Sequence, residues 1–428
     1  MTFTAPRGTN DVLPAEQPYW RWIRNTAEHM AAAYGYQPID TPLFEDVGVF
    51  ERGIGAGTDI VEKEMFLLQP RREEARRFAL RPEATAGLCR AYIEHGMANL
   101  PQPVRLFWFG PNFRYERPQA GRLRQFTQVN LEAIGSADPA LDAEVIVFAW
   151  RLYERLGLQN LTLLLNTIGD PAARAPYLEA LRAYFRPYLD ELDEDDRVRF
   201  HKNPLRLLDS KNERTRALLA HAPDLHEALP PAALAHFERV QAYLQVAGIP
   251  YTIDKHLVRG LDYYTHTVFE IVPPGAGAQG TLGGGGRYDG LIELLGGKPT
   301  PAVGFATGVE RIILNLKGSG IVPPPLPGPE VFVAVTAEGT TEAAFALADE
   351  LRRAGVRAQL AVGGHSLKSQ LRLAGRLGVR YTVILGEDEL RGGTVTVRDM
   401  GRGEQQPLPR EQAVAELARW LQQAAGRT

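Results

Sequence analysis

Residues 257 to 264 read LVRGLDYY, an arginine in a short loop followed by two large hydrogen-bonding aromatics. A guanidinium keeps its charge at neutral pH and presents a planar fork of donors that matches phosphate. Beside Tyr263 and Tyr264, Arg259 therefore suits a pocket for an anionic centre and a planar polar ligand. An arginine ahead of a strand is also a common solvated rim residue, so its company decides between the two. That company is four segments: LRPEAT (80–85), FRYERPQAGRLRQFTQVNLE (113–132), GGGGRYDG (283–290) and GFATGVERI (304–312).

Each segment has a bland reading beside a chemical one. Strand side chains alternate faces, which puts Arg124, Phe126, Gln128, Asn130 and Glu132 together, with Arg114 and Glu116 sharing a face of the partner strand. Both charge signs, an amide and one aromatic make either a solvent face or a platform on which a planar ring stacks. Glu83 and Thr85 open a helix, where a carboxylate is a cap or a partner for an ammonium group. Residues 283–286 are four glycines, read as a hairpin turn that would let a ligand approach the backbone closely. Arg311 follows Glu310 at a helix start, where it can take a phosphate or pair with its neighbour. Lys368, Arg372 and Arg376 recur every fourth residue, giving one helix a basic stripe, solvated or tracking phosphates. Leu367, Leu371 and Ala374 form an apolar stripe on another side.

Taken in order and spacing, these segments resemble the histidyl-tRNA synthetases of bacterial type, within class II of the aminoacyl-tRNA synthetases. The resemblance runs from PRGTND (6–11) into the C-terminal region, and LVRGLDYYT is its most specific part. It implies an activating enzyme with L-histidine, ATP accompanied by Mg²⁺, and tRNA(His) as its ligands, with no metal site built by the protein. By resemblance, Arg114 and Arg259 flank the α-phosphate as the catalytic pair, and Arg114 also meets the substrate carboxylate. Glu116 and Phe126 would hold the adenine, and Arg311 the γ-phosphate. Glu83 and Thr85 would hold the α-ammonium group. Gln128, Glu132, Arg259, Tyr263, Tyr264 and Tyr288 would complete the histidine pocket. The loop RPQAGRL would reach the acceptor end of the tRNA, and Lys368, Arg372 and Arg376 would contact RNA from an anticodon-binding domain. Two rivals share parts of this pattern. A non-catalytic regulatory relative usually loses the arginine loop and the C-terminal domain, both retained here; a class II synthetase for another amino acid lacks LVRGLDYY.

The resemblance implies that these residues are placed by an α+β catalytic domain on an antiparallel sheet, and the alternating elements at the C-terminal end read as an α/β domain. The expected boundaries are 1–325 for the catalytic domain, 170–248 for a helical insertion separate from its sheet, and 329–428 for the anticodon-binding domain. An amphipathic helix (15–34) leads through Gly35 to a strand-like YQPIDTPLF, whose Pro42 suits a strand edge. This resembles the class II dimer interface and predicts a homodimer. A hairpin (104–134), a helix (138–156) and a buried strand (161–169) follow, and strands resume at 250–255 and 264–272. The glycines of RGIGAGTDIVEKEMF (52–66) lack the βαβ setting of a dinucleotide fingerprint. GSGIVPPPLPGP (318–329) is a proline-stiffened linker. Beyond it, strands at 331–335, 357–362, 381–386 and 394–399 alternate with helices at 340–353, 366–377 and 410–423, predicting a mainly parallel sheet.

At 428 residues the chain has room for two or three domains, and 44% hydrophobic with 23% charged residues is an ordinary globular balance. A net charge of −3 excludes a globally basic coat but not local basic patches. A single cysteine, Cys89, rules out an intrachain disulfide, and the nine histidines show no metal-ligand spacing. No apolar run approaches the ~18 residues of a membrane span. The first residues carry no basic-then-apolar leader, so the cytoplasm is the expected compartment.

Overall fold

The computed structural model describes residues 2–55, 58–69, 76–275 and 280–425. The chain divides after Pro324 into two compact units. In the first, an eight-stranded sheet has strands β1 (Gln37–Pro38), β4 (Val104–Phe113), β5 (Gln125–Ile134), β6 (Thr162–Thr167), β7 (Thr252–Ile253), β8 (Thr265–Val272), β9 (Gly283–Arg287) and β10 (Ala302–Gly308). Their order is β1-β4-β5-β10-β9-β8-β6-β7. Every pairing is antiparallel except the outermost two, β1–β4 and β6–β7. A small second sheet pairs β2 (Phe44–Asp46) with β3 (Phe78–Leu80).

The hairpin forms where the sequence places it, with Val104 opposite Ile134 and Phe113 opposite Gln125. Two expectations change. The strand β4 ends at Phe113, so Arg114 and Glu116 lie beyond it; Arg114 is tethered by its N–H to the Arg124 carbonyl (2.9 Å). The segment YQPIDTPLF is not one strand but β1 and the start of β2, with Pro42 between them. The carbonyls of Thr41 and Pro42 there accept from the Arg81 guanidinium (2.7 and 3.1 Å).

The larger correction concerns the four glycines. They are not a turn but the buried strand β9, paired on both sides. At Gly285 a Cβ would fall 2.0 Å from the Gly304 carbonyl oxygen, so only glycine lets these strands approach. Likewise GFATG is strand β10, and its helix begins only at Val309. The helix Pro139–Arg155 starts with Asp138 capping Ala140 N (2.9 Å) and packs in one apolar core with β5, β8, β10 and the helix Pro231–Val246.

Residues 170–248 are helical, from Pro171–Phe185 to Pro231–Val246, and prolines 204 and 231 sit in first turns, where a missing N–H costs nothing. These helices lie outside the sheet yet are not separate from it. Tyr177, Leu181 and Phe185 share a core with Leu257, Val258, Tyr263, Tyr264 and Tyr288.

The second unit holds a five-stranded sheet ordered β12 (Ala358–Leu360), β11 (Val331–Val335), β13 (Tyr381–Leu385), β14 (Thr394–Asp399), β15 (Gln405–Pro409). Only β12–β11–β13 is parallel; β14 and β15 run antiparallel, so the sheet is mixed. The sequence hides β15 because Pro407 and Pro409 interrupt it, which an edge strand tolerates. The short helix Glu387–Gly392 was also missed.

Candidate active site

The cavity lies on the central strands and has a volume of ≈ 370 Å³. Every residue named above for histidine or ATP lines it, drawn together from segments more than two hundred residues apart.

Glu132, on β5, sits at its floor and is 1 % exposed. The Tyr288 hydroxyl donates to its Oε2 (2.5 Å) and Thr85 Oγ1 to its Oε1 (2.7 Å). Burial dominates these contacts and pushes the carboxyl up to about 8. Gly304 makes room for it, since a Cβ there would fall 1.8 Å from Glu132 Oε2. Beside it, Glu83 accepts from the backbone N–H groups of Thr85 (2.8 Å) and Ala86 (2.7 Å), capping the helix Thr85–Glu94. The cap reading is therefore correct as geometry, and burial raises this carboxyl too. Tyr263 stacks at a tilt on Tyr264 (4.7 Å) and edge-on to Tyr288 (5.6 Å), forming an aromatic wall. Gln128 Oε1 accepts from the buried Asn112 Nδ2 (2.6 Å).

The rim is cationic. Arg114 donates through Nε to the Pro82 carbonyl (3.0 Å) and stands over the Phe126 ring at 5.3 Å. Arg259 forms an ion pair with Glu270, a strand residue of β8. Its Nε is buried without a partner among the described residues. Arg311 donates to the carbonyls of Gly121 (3.2 Å) and Thr281 (2.7 Å), and not to Glu310. Burial lowers its basicity first, with neighbouring Arg122 and Arg114 acting in the same direction. Glu310 instead accepts the Thr127 N–H (2.8 Å), bridging β5 to the helix Val309–Gly318, and burial lifts its carboxyl to about 7. Glu116 pairs with Arg122 (3.4 Å) across the loop that follows Arg114.

Sequence reasoning overlooked Glu270 and Thr281 in the lining, the pair Asp209 and Lys211 that the helical stretch sends into the wall, and Asn112, which holds Gln128 without lining the cavity itself. Glu270 had a signal: it is the one carboxylate in the run THTVFEIV, placed among the apolar residues that end it. Arg124 does not line the cavity; it stacks over Tyr115 at 3.8 Å. The loop 52–66 contributes Ile60, while residues 56 and 57 lie outside the described residues.

In the second unit, Lys368, Arg372 and Arg376 are exposed on the helix Leu367–Leu377. The apolar side of that helix differs from expectation: Leu367, Leu373, Ala374 and Leu377 pack on Phe332, Ala334 and Ile384, and Leu371 stays outside that cluster. Gln370 clamps the helix to Val335, accepting from its N–H (2.9 Å) and donating to its carbonyl (2.6 Å).

An antiparallel sheet carrying an arginine-rimmed cavity, followed by a domain that matches the family model described as Anticodon binding domain over residues 330–420, is the build of a class II aminoacyl-tRNA synthetase. The chain belongs to the histidyl-tRNA synthetase family, whose model, described as Histidyl-tRNA synthetase, matches residues 8–312. A histidine–tRNA ligase of Dehalococcoides mccartyi is 51% identical over 98% of this chain and 100% of its own length. One from Moorella thermoacetica is 49% identical over 96% of each. The crystal structure of apo Staphylococcus aureus histidyl-tRNA synthetase superposes with a TM-score of 0.82 at 36% identity, covering 97% of this chain and 100% of that one. A Bacillus halodurans chain described as an ATP phosphoribosyltransferase regulatory subunit/histidyl-tRNA synthetase shares the fold at 21% identity, with a TM-score of 0.65 over 90% of this chain.

Proposed function

We propose that this chain charges tRNA(His) with L-histidine in two steps. The observation that carries the reading is a cavity with the buried carboxyl of Glu132 at its floor, hydrogen-bonded by Tyr288 and Thr85, and Arg114, Arg259 and Arg311 around its rim. In the first step a carboxylate oxygen of histidine attacks the α-phosphorus of ATP. The bond from that phosphorus to the oxygen bridging to the β-phosphate breaks, and pyrophosphate leaves. In the second, the terminal ribose hydroxyl of the tRNA attacks the histidyl carbonyl carbon and AMP departs. By family resemblance, the hydroxyl proton passes to the adenylate phosphate.

The chain's part is alignment and charge stabilisation. Glu132 would accept an imidazole N–H, with Gln128 and the Tyr263, Tyr264 and Tyr288 wall fixing the ring. Glu83 and Thr85 would face the ammonium group. Arg114 and Arg259 would flank the α-phosphate where negative charge accumulates, with Glu116 and Phe126 at the adenine and Arg311 at the γ-phosphate. Mg²⁺ enters this scheme as a companion of the ATP phosphates.

The domains follow as 1–325 catalytic, with 170–248 its helical insertion, and 329–428 anticodon-binding, where Lys368, Arg372 and Arg376 meet RNA phosphates. The working assembly is a homodimer, supported by the exposed Leu43 and Phe44 beside Pro42. The compartment is the cytoplasm; no helix among the described residues is long and apolar enough to cross a membrane. Amino-acid-dependent ATP–pyrophosphate exchange with histidine, glycine, threonine and proline tests the substrate, and light scattering tests the dimer. Exchange with any amino acid other than histidine, or with none, would overturn the reading.

A further inference from the structure

The helical insertion spends a buried carboxylate on holding one short loop. Asp196 is 1 % exposed, and its Oδ2 accepts from Ser210 Oγ and from Thr215 Oγ1 (2.6 Å), while Arg199 Nη1 meets Oδ1 (3.1 Å). Asn212 closes the loop, accepting from the N–H groups of Arg214 (2.9 Å) and Thr215 (3.2 Å) and donating to Asp193 (3.0 Å). A carboxylate taken out of water is costly unless its oxygens are satisfied; here Arg199 satisfies Oδ1, and the two hydroxyls that anchor the residues around 210 satisfy Oδ2. Ser210 is thereby turned inward. Its two neighbours, Asp209 and Lys211, are exposed and line the cavity that holds Arg259 and Glu270.

The insertion also grips the arginine loop itself. Asn203 Nδ2 donates to Asp262 Oδ1 (2.9 Å), and Arg174 Nη2 donates to the Tyr264 carbonyl (3.1 Å). The loop of Asp209 and Lys211 is thus fixed relative to Arg259 rather than hung in solvent. Among the insertion's other cations, Lys202 pairs with Glu62 (2.5 Å) and Arg214 with Glu191, while Arg206, near the arginine loop, lines a neighbouring pocket and not this cavity. Lys211 has neither an ion pair nor a hydrogen bond among the described residues, although it faces a wall carrying Asp209 and Glu270. Those two carboxylates would repel a polyphosphate or an RNA end arriving at the cavity. Arg259 pairs with Glu270 through Nη1 alone, so it offsets that carboxylate and not Asp209.

We propose that Lys211 is a further substrate-binding residue of this active site, delivered by the insertion, and that its ammonium takes a phosphate at the cavity's insertion-side wall. A compact, strongly hydrated point charge on a flexible stem is suited to a phosphate that arrives from solvent. Asp196 is a positioning residue, acting only through the loop it anchors. The phosphate belongs either to the pyrophosphate end of ATP or to the terminal nucleotide of the tRNA. The inference rests on the function proposed above.

The test separates both the sources and the two readings. Lys211→Ala and Lys211→Arg are compared with wild type in single-turnover adenylate formation and in transfer from preformed adenylate to tRNA. A loss of about tenfold in Lys211→Ala, restored in Lys211→Arg and shrinking at higher salt, is expected in one of the two steps. Loss in adenylate formation assigns the ATP phosphates; loss in transfer assigns the RNA phosphate. Asp196→Asn should weaken the same step in the wild-type background and add nothing in the Lys211→Ala background. If both steps are unchanged in Lys211→Ala while wild type activates histidine, the inference is wrong and the proposed function stands. If wild type itself fails to activate histidine, the proposed function falls instead.

Discussion

At the floor of the cavity Glu132 has both oxygens engaged by hydroxyls, and Glu83 beside it accepts two backbone N–H groups. Around the rim, Arg114 and Arg311 rest on backbone carbonyls with donors to spare, and Arg259 leans on a half-buried carboxylate. The floor is buried and backed by a strand of glycines; the rim is charged and partly exposed. A floor of this kind can only accept a ligand that restores its hydrogen bonds, so it discriminates. A rim of this kind holds charges ready for whichever phosphate oxygen becomes more negative, so it accelerates. Damage to the rim should therefore appear in rate, and damage to the floor in histidine recognition.

The largest effect is expected at the rim. Arg259→Ala should slow adenylate formation by about a hundred- to a thousandfold, the ~3–4 kcal/mol that a preorganised donor at such a centre contributes, with little change in histidine affinity. Arg259→Lys should fall between, since a point charge restores the field but not the fork. Single-turnover rates decide it, and an unharmed Arg259→Ala would make this residue a structural partner of Glu270. At the floor, Glu132→Ala should weaken histidine activation by ~1.5–3 kcal/mol while sparing ATP binding. Equal losses for both ligands would mean that Glu132 supports β5 and not the imidazole. Gly304→Ala reaches the same carboxylate from behind. Its Cβ would meet Glu132 Oε2 at 1.8 Å and the Leu131 carbonyl at 2.9 Å, so it should cost ~1–3 kcal/mol of stability and raise KM for histidine. A thermal melt with steady-state kinetics checks both, and an unchanged KM would separate the glycine from the pocket.

The residues of the rim were legible because arginines near aromatics, at loop and helix starts of several separate segments, converge on one chemistry: an anionic ligand with a planar ring. The hairpin was legible because its ten-residue strands alternate and break at a charged loop. What the sequence concealed was packing. Four glycines in a row have no side chains to declare a strand, and only the 2.0 Å that a Cβ at Gly285 would leave to the Gly304 carbonyl oxygen shows why they must be glycines. Asp209 and Lys211 carry no sign of a site in the helical stretch, because nothing local marks Ser210 as the residue that turns inward. Glu310 looked like a partner for Arg311, yet it completes the pairing of Thr127 where β10 ends. The mixed sheet of the second unit was misjudged for a similar reason, since its last strand is written in prolines.

The smallest effect concerns a proton. With burial as its main cause, the Glu132 carboxyl titrates at about 8, so in the empty cavity at pH 7 it is mostly protonated. Histidine brings an ammonium group and a ring N–H to this floor, and both favour the ionised carboxylate. Binding at pH 7 should therefore release up to about one proton, seen as a dependence of the calorimetric binding enthalpy on the ionisation enthalpy of the buffer. The release should fade above pH 8, where Glu132 is already ionised, and should be absent in Glu132→Gln, which also controls for protonation of the histidine ring itself. The same shift has a sign in stability. A carboxyl raised on folding contributes stability that is complete below its ordinary value near 4.5 and is lost as pH rises through about 8. The thermal stability of Glu132→Gln should accordingly vary less between pH 5 and pH 8 than that of wild type. Proton uptake on binding, or no buffer dependence at pH 7, would mean that the floor carboxylate is already charged before the substrate arrives, and that the floor is wetter than its burial implies.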